Sequence, residues 1–241
     1  MIGTRPAPVK ATVALYNPGQ RWADFPAILL GSMDDTGILA ITEDMLMTSL
    51  VLASGSRWRR QLLDRLDLPY AWASPDIDET PRPGESPEAL VHRLALTKAS
   101  RLADEYPAHL IIGADQVAVF DGEILGKPGN EAVARATLAR FSGQRVRFLT
   151  GLALLDTRQG LHRVCHERYD VVFRRLGERE IANYVAREQP LDCAGSFRME
   201  GLGIALFEKL EGDDPNTLIG LPLIRLCEML REAGLDPLAE P

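Results

Sequence analysis

From Leu50 onward the chain alternates short apolar runs of strand length with longer stretches of helical period. That alternation confines it to a mixed α/β architecture. Leu50–Ala53 reads as a buried strand and Ser54-Gly55-Ser56 as a tight loop. Arg57–Leu66 reads as an amphipathic helix with Leu62, Leu63 and Leu66 on one face. Tyr70–Ala73 is a second short strand, leading into the acidic loop Asp76–Thr80 and an irregular connection through Pro81, Pro83 and Gly84. Ser86–Tyr106 is expected to be a long helix, with Ser86 as N-cap and Pro87 just inside it. The apolar run His109–Gly113 is a strand with Asp115 at its carboxyl end.

Beyond it, Gln116–Phe120 and Glu123–Gly126 flank Asp121-Gly122, a strong hairpin signal. Asn130–Phe141 reads as helix. Arg145–Asp156 and His162–Phe173 read as two long strands meeting across a turn at Gly160, and Gly177–Glu188 as another helix. Gly201–Glu208 alternates weakly and is expected to be a strand. Asp213–Thr217 forms an ordered turn, and Leu221–Ala233 a terminal helix.

Residues 1–46 differ in character. They scatter Pro and Gly among short apolar pieces such as Ala27–Leu30 and the acidic turn Asp34-Asp35, with no sustained period. Residues 1–46 are therefore expected to be an atypical leader, either a mis-called start or a loosely held extension, with Met47 opening a domain over residues 47–241.

Composition narrows the function. No stretch approaches the roughly 18–20 apolar residues of a spanning helix, and the start lacks a secretory pattern. The three cysteines, Cys165, Cys193 and Cys227, fit neither a disulfide framework nor a zinc knuckle, which suits a reducing, cytoplasmic setting. With 27 Lys and Arg against 34 Asp and Glu, the net charge of -7 disfavours long nucleic acid as a partner. A small anion remains within reach of a few convergent basic groups, or of a divalent cation bridging carboxylates and phosphates. The four histidines show no metal-ligand spacing, and no Ser/His/acid or Cys/His arrangement stands out.

Four clusters carry chemistry. Ser54 and Ser56, with Arg57, Arg59 and Arg60, place hydroxyls, amides and guanidiniums at a strand-to-helix turn suited to phosphate oxygens. Asp76, Asp78 and Glu79 crowd carboxylates that a hard cation would neutralise. In Gly113-Ala114-Asp115-Gln116, Gly113 would admit substrate closely. Asp115 would bind metal or act as general base, and Gln116 would offer its amide to a base or ribose. Lys127 on the Gly126–Pro128 turn, and Lys98 in the long helix, are candidate phosphate contacts. In Cys193–Phe197, Ser196 is a candidate ligand contact and Phe197 a base or core contact; Glu200, just beyond, could accept from a guanine edge.

Taken together these segments resemble the Maf-like nucleotide pyrophosphatases. The resemblance runs from about Leu50 to Leu238. It rests on Leu52–Arg60, Asp78–Thr80, Arg93–Ala95 with Lys98-Ala99, Ile112–Gln116, Gly126–Pro128, Ser142-Gly143, Thr150-Gly151, Ala194–Phe197 and Gly220–Pro222. Trp58, Gln116 and Glu200 are similar to the subgroup acting on 7-methyl-GTP. The resemblance implies a mixed sheet with two lobes around a deep central cleft, frequent homodimerisation, a cytoplasmic location and a divalent cation, Mg²⁺ or Mn²⁺, held by Glu79 and Asp115. It implies Asp115 as proton acceptor, with Glu79, Lys98 and Lys127 in support, and Trp58, Gln116 and Glu200 tuning base choice. The expected reaction releases a nucleoside monophosphate and pyrophosphate, with no membrane or nucleic-acid polymer involved. A sister activity on dTTP or UTP, and a non-catalytic nucleotide-binding regulator of septum formation, are the alternatives. One departure is clear: Arg57 stands where the family usually has proline.

Overall fold

The computed structural model describes residues 14–16 and 49–239. The expectations for Ala27–Leu30, Asp34-Asp35 and a start at Met47 lie outside them. The strands are β1 (Ala14–Tyr16), β2 (Ser49–Ala53), β3 (Tyr70–Ala73), β4 (His109–Phe120), β5 (Glu123–Leu125), β6 (Arg145–Asp156), β7 (Leu161–Phe173) and β8 (Phe207–Glu211). The helices are α1 (Arg57–Leu63), α2 (Pro87–Arg101), α3 (Glu131–Phe141), α4 (Glu178–Glu188), α5 (Asn216–Ile219) and α6 (Leu223–Glu232). The strands form one mixed sheet in the order β1-β3-β2-β4-β6-β7-β8, with β5 paired to β4. β2 runs parallel to β3 and β4, and the remaining pairs are antiparallel. Among the described residues no helix is long and apolar enough to cross a membrane.

Several boundaries differ from expectation, each for a local reason. The runs His109–Gly113 and Gln116–Phe120 are one continuous strand, because β6 pairs along β4 from Leu110 to Val119. Asp115 therefore sits mid-strand. The parallel partner β2 ends at Ala53, opposite Gly113, so Asp115 lies just past the point where β2 leaves the sheet. Helix α2 stops at Arg101 rather than Tyr106, and the turns that follow place Leu102 and Tyr106 in a core with Val51 and Ile111. Leu202–Leu206 is a 3₁₀ turn, not a strand, because the chain folds back on itself at Gly203. A Cβ there would lie 2.1 Å from Arg198 O. Asn216–Ile219 closes the expected turn as one helical turn, and α6 begins only after Pro222.

The long strands serve two main cores. The outer half of β4 packs Ala118 and Phe120 with Leu138, Phe141, Phe148 and Phe173. The inner half packs Leu110, Ile112 and Ala114 with Leu50, Leu52, Leu63, Leu226 and Leu230. Gln116 falls between them on that face, while Asp115 points to the opposite face, between the smaller cores that hold Ile111 and Val117.

Candidate active site

Alternation along β4 sends neighbouring side chains to opposite faces. Gly113 and Asp115 face α2, and Gly151 of β6 lies directly opposite Asp115. A Cβ on Gly113 would come within 2.0 Å of Ala95 O, and one on Gly151 within 2.2 Å of Val91 O. These glycines let α2 settle onto the sheet backbone. Gly113 thus admits a helix, not the substrate that the sequence suggested.

The close approach brings Lys98, one turn beyond Ala95, against Asp115. The ammonium donates to Asp115 Oδ1 at 2.6 Å and pairs with Glu79 Oε1 at 2.7 Å. Lys98 and Asp115 are buried, whereas half the Glu79 side chain is exposed. Burial pushes the Glu79 carboxyl up, but the hydrogen bond and charge of Lys98, with the charges of Lys127 and Arg59, hold it below its ordinary value. Lys98 is therefore a central cation of the site, although a lone helix lysine is usually solvated.

These groups line a cavity of about 570 Å³. Ser54, Ser56, Trp58, Arg59, Glu79, Lys98, Asp115, Gln116, Lys127 and Glu200 all line it. The sequence clusters are sorted as they enter. Of the acidic loop only Glu79 lines the cavity; Asp78 Oδ1 instead accepts from Thr80 N at 2.9 Å, fixing the turn. Of the three arginines, Arg57 and Arg59 line it, while Arg60 lies over the Trp72 ring at 3.9 Å. Ser196 is fully buried outside the lining at a left-handed turn (φ 61°). Phe197 lines the cavity and also packs edge-on against Phe148 and Phe207.

Gln116 is committed more than the sequence suggested. Its amide nitrogen donates to Thr217 O at 2.8 Å, Leu218 O at 3.2 Å and Thr150 Oγ1 at 3.0 Å, so its donors are spent on protein and its carbonyl oxygen is left for a ligand. Arg59 Nε likewise donates to Gly220 O at 2.8 Å. Burial lowers the Arg59 pKa, opposed by the charges of Asp115 and Glu79; a guanidinium stays charged through such a shift. Both side chains are thus held by segment 217–220. Sequence reasoning missed what holds that segment. Buried Asp214 accepts from Asn216 N at 2.8 Å and Nδ2 at 2.6 Å through one oxygen, and from Ile224 N at 2.9 Å through the other. The Asp-Pro-Asn run was the available signal, legible as a turn but not as a brace for the site.

Glu79 and Asp115 put two carboxylates in one cavity. Mg²⁺ commonly takes that number from protein when substrate phosphates and water complete its shell. Among the described residues no group of three or more His, Cys, Asp or Glu is placed to hold a metal. The donor set fits a cation that arrives with a polyphosphate.

Residues 49–233 match the family model described as Maf-like protein. A 7-methyl-GTP pyrophosphatase of Chromohalobacter salexigens is 79% identical over 192 residues, which is 80% of this chain and the whole of that relative.

Proposed function

The chain belongs to the family of Maf-like proteins, and from that premise we propose that it hydrolyses a modified nucleoside triphosphate, 7-methyl-GTP, to the monophosphate and pyrophosphate. The observation that carries the reading is the Lys98 ammonium between Asp115 and Glu79, inside a cavity that also presents Arg59, Lys127 and the Ser54–Ser56 loop.

Water attacks the α-phosphorus, the bond from that phosphorus to the bridging oxygen breaks, and pyrophosphate leaves with the bond's electrons. Lys98 holds Asp115 Oδ1, so Oδ2 is the oxygen left to accept the proton of the attacking water. Arg59 and Lys127, with the Ser54 and Ser56 hydroxyls, stabilise charge that grows on the phosphates; the Ser54 and Ser56 amides already donate to Leu52 O and Ser54 Oγ. A divalent cation held by Glu79 and Asp115, Mg²⁺ or Mn²⁺, would add Lewis-acid stabilisation of the same oxygens. Trp58, Glu200 and Gln116 line the same cavity, and in this reading they recognise the base, Gln116 through the carbonyl oxygen that its spent amide donors leave. N7-methylation makes guanine cationic, which suits an indole face and a carboxylate.

The test is a nucleotide panel resolved by product. The reading expects pyrophosphate, not phosphate, with 7-methyl-GTP preferred over GTP, dTTP and UTP, and loss of turnover in Asp115→Asn. Preference for dTTP or UTP would return the base assignment to the sister activity. Tight binding without turnover under either metal would favour a nucleotide-binding regulator.

A further inference from the structure

Arg57 is the first residue of α1, whose first turn contains no acidic residue. A cation there stands against the positive end of the helix and gains nothing from its own element. Its guanidinium instead lies over the Trp58 ring, 4.1 Å from the centroid, and both side chains line the cavity. Glu200 lines it too, close enough to feel the charge of Arg57. A planar, delocalised cation with an N–H fork is therefore stacked on an indole in a cavity that a carboxylate also lines. N7-methylguanine carries the same three attributes: planarity, positive charge and an N–H edge.

We propose that Arg57 is a resident competitor for the Trp58 face, a side chain that any stacking base must displace before it binds. This rests on the assignment of Trp58 to the base. It goes further in giving this chain's own Arg57 a defined effect: it weakens ground-state binding of every stacking base by one common factor. The factor is common because lifting the guanidinium off the indole costs the same whichever base enters. Preference for the methylated base then comes from the exchange that follows, in which a cationic base restores the cation–π interaction and a neutral one does not.

Calorimetric titration with 7-methyl-GMP and GMP, which undergo no turnover, separates the two claims. Wild-type protein is compared with Arg57→Ala, Arg57→Gln, Trp58→Leu and the Arg57→Ala/Trp58→Leu double variant. Arg57→Ala is expected to tighten both monophosphates by about two- to fivefold, the worth of one exposed cation–π interaction, leaving their ratio unchanged. Arg57→Gln should do the same with a side chain of similar reach, and the gain should vanish once Trp58 is Leu. Unchanged affinity in Arg57→Ala overturns the proposal. So does weaker binding in either background, which would put Arg57 on the phosphate. Equal wild-type affinity for the two monophosphates would instead overturn the base assignment, while tightening in Arg57→Ala would still support the competitor.

Discussion

The Lys98 ammonium lies 2.6 Å from Asp115 Oδ1, and the two side chains are equally buried, each about 9% exposed. A pair this sheltered ties catalysis to stability. Asp115→Asn keeps the shape but removes the proton acceptor, so turnover should fall by roughly 10²–10⁴-fold, as for loss of a general base. Persistence of the wild-type rate would remove Asp115 from that role.

Lys98→Met leaves the Asp115 carboxylate without its cation. Breaking a buried pair from one side costs about 3–5 kcal/mol, and removing both charges costs much less. Urea denaturation should therefore rank Lys98→Met below the Lys98→Met/Asp115→Asn double variant. The reverse order would show that the pair contributes little to the fold.

Gly113→Ala and Gly151→Ala test whether close packing of α2 sets that pair. Each added methyl meets a helix carbonyl at 2.0–2.2 Å, an overlap that only a backbone shift relieves. Overpacking of this kind costs about 1–3 kcal/mol. Because Lys98 rides on α2, kcat should fall by more than the loss of folded protein explains. A melting temperature and kcat at wild-type values in Gly113→Ala would refute the packing argument.

These glycines also mark the limit of what the sequence discloses. Strand and helix periods are legible, as are the residues that converge, because each sits beside a turn or strand signal that survives in local pattern. Asp115 at a strand end is half right: β2 stops opposite Gly113, but β4 continues because β6 pairs along it, and pairing across long separations leaves no local trace. The burial of Lys98 and the bracing of Gln116 by residues 217 and 218 are hidden for the same reason.

Asp214→Ala should act at a distance. The carboxylate braces α5 and the start of α6, and the carbonyls that follow it hold Gln116 and Arg59. Losing hydrogen bonds to a charged group costs about 1.5–3 kcal/mol each, so the melting temperature should drop clearly. With Gln116 and Arg59 both loosened, KM should rise in folded protein. An unchanged KM would confine Asp214 to a structural role.

The last expectation concerns His92 on α2 and His166 on β7, whose ring nitrogens Nε2 and Nδ1 are 2.8 Å apart. One ring must donate and the other accept, so the hydrogen bond cannot survive when both are fully protonated. Burial first, then the charge of His166, lowers the His92 pKa, and Glu88 one turn away opposes them. A histidine held below its unfolded value of about 6.5 is protonated more readily in the unfolded chain, so stability declines as pH falls from there through the folded value. His166 lies opposite Gly151, the residue on which α2 rests, and His92 belongs to the helix that delivers Lys98. Mild acid should therefore loosen the packing that aligns Lys98 with Asp115. Urea midpoints measured across mildly alkaline to mildly acidic buffers should fall more steeply for wild type than for His92→Gln, which removes the titration but retains a hydrogen-bonding side chain. Parallel curves for the two proteins would show that the pair does not couple protonation to the fold.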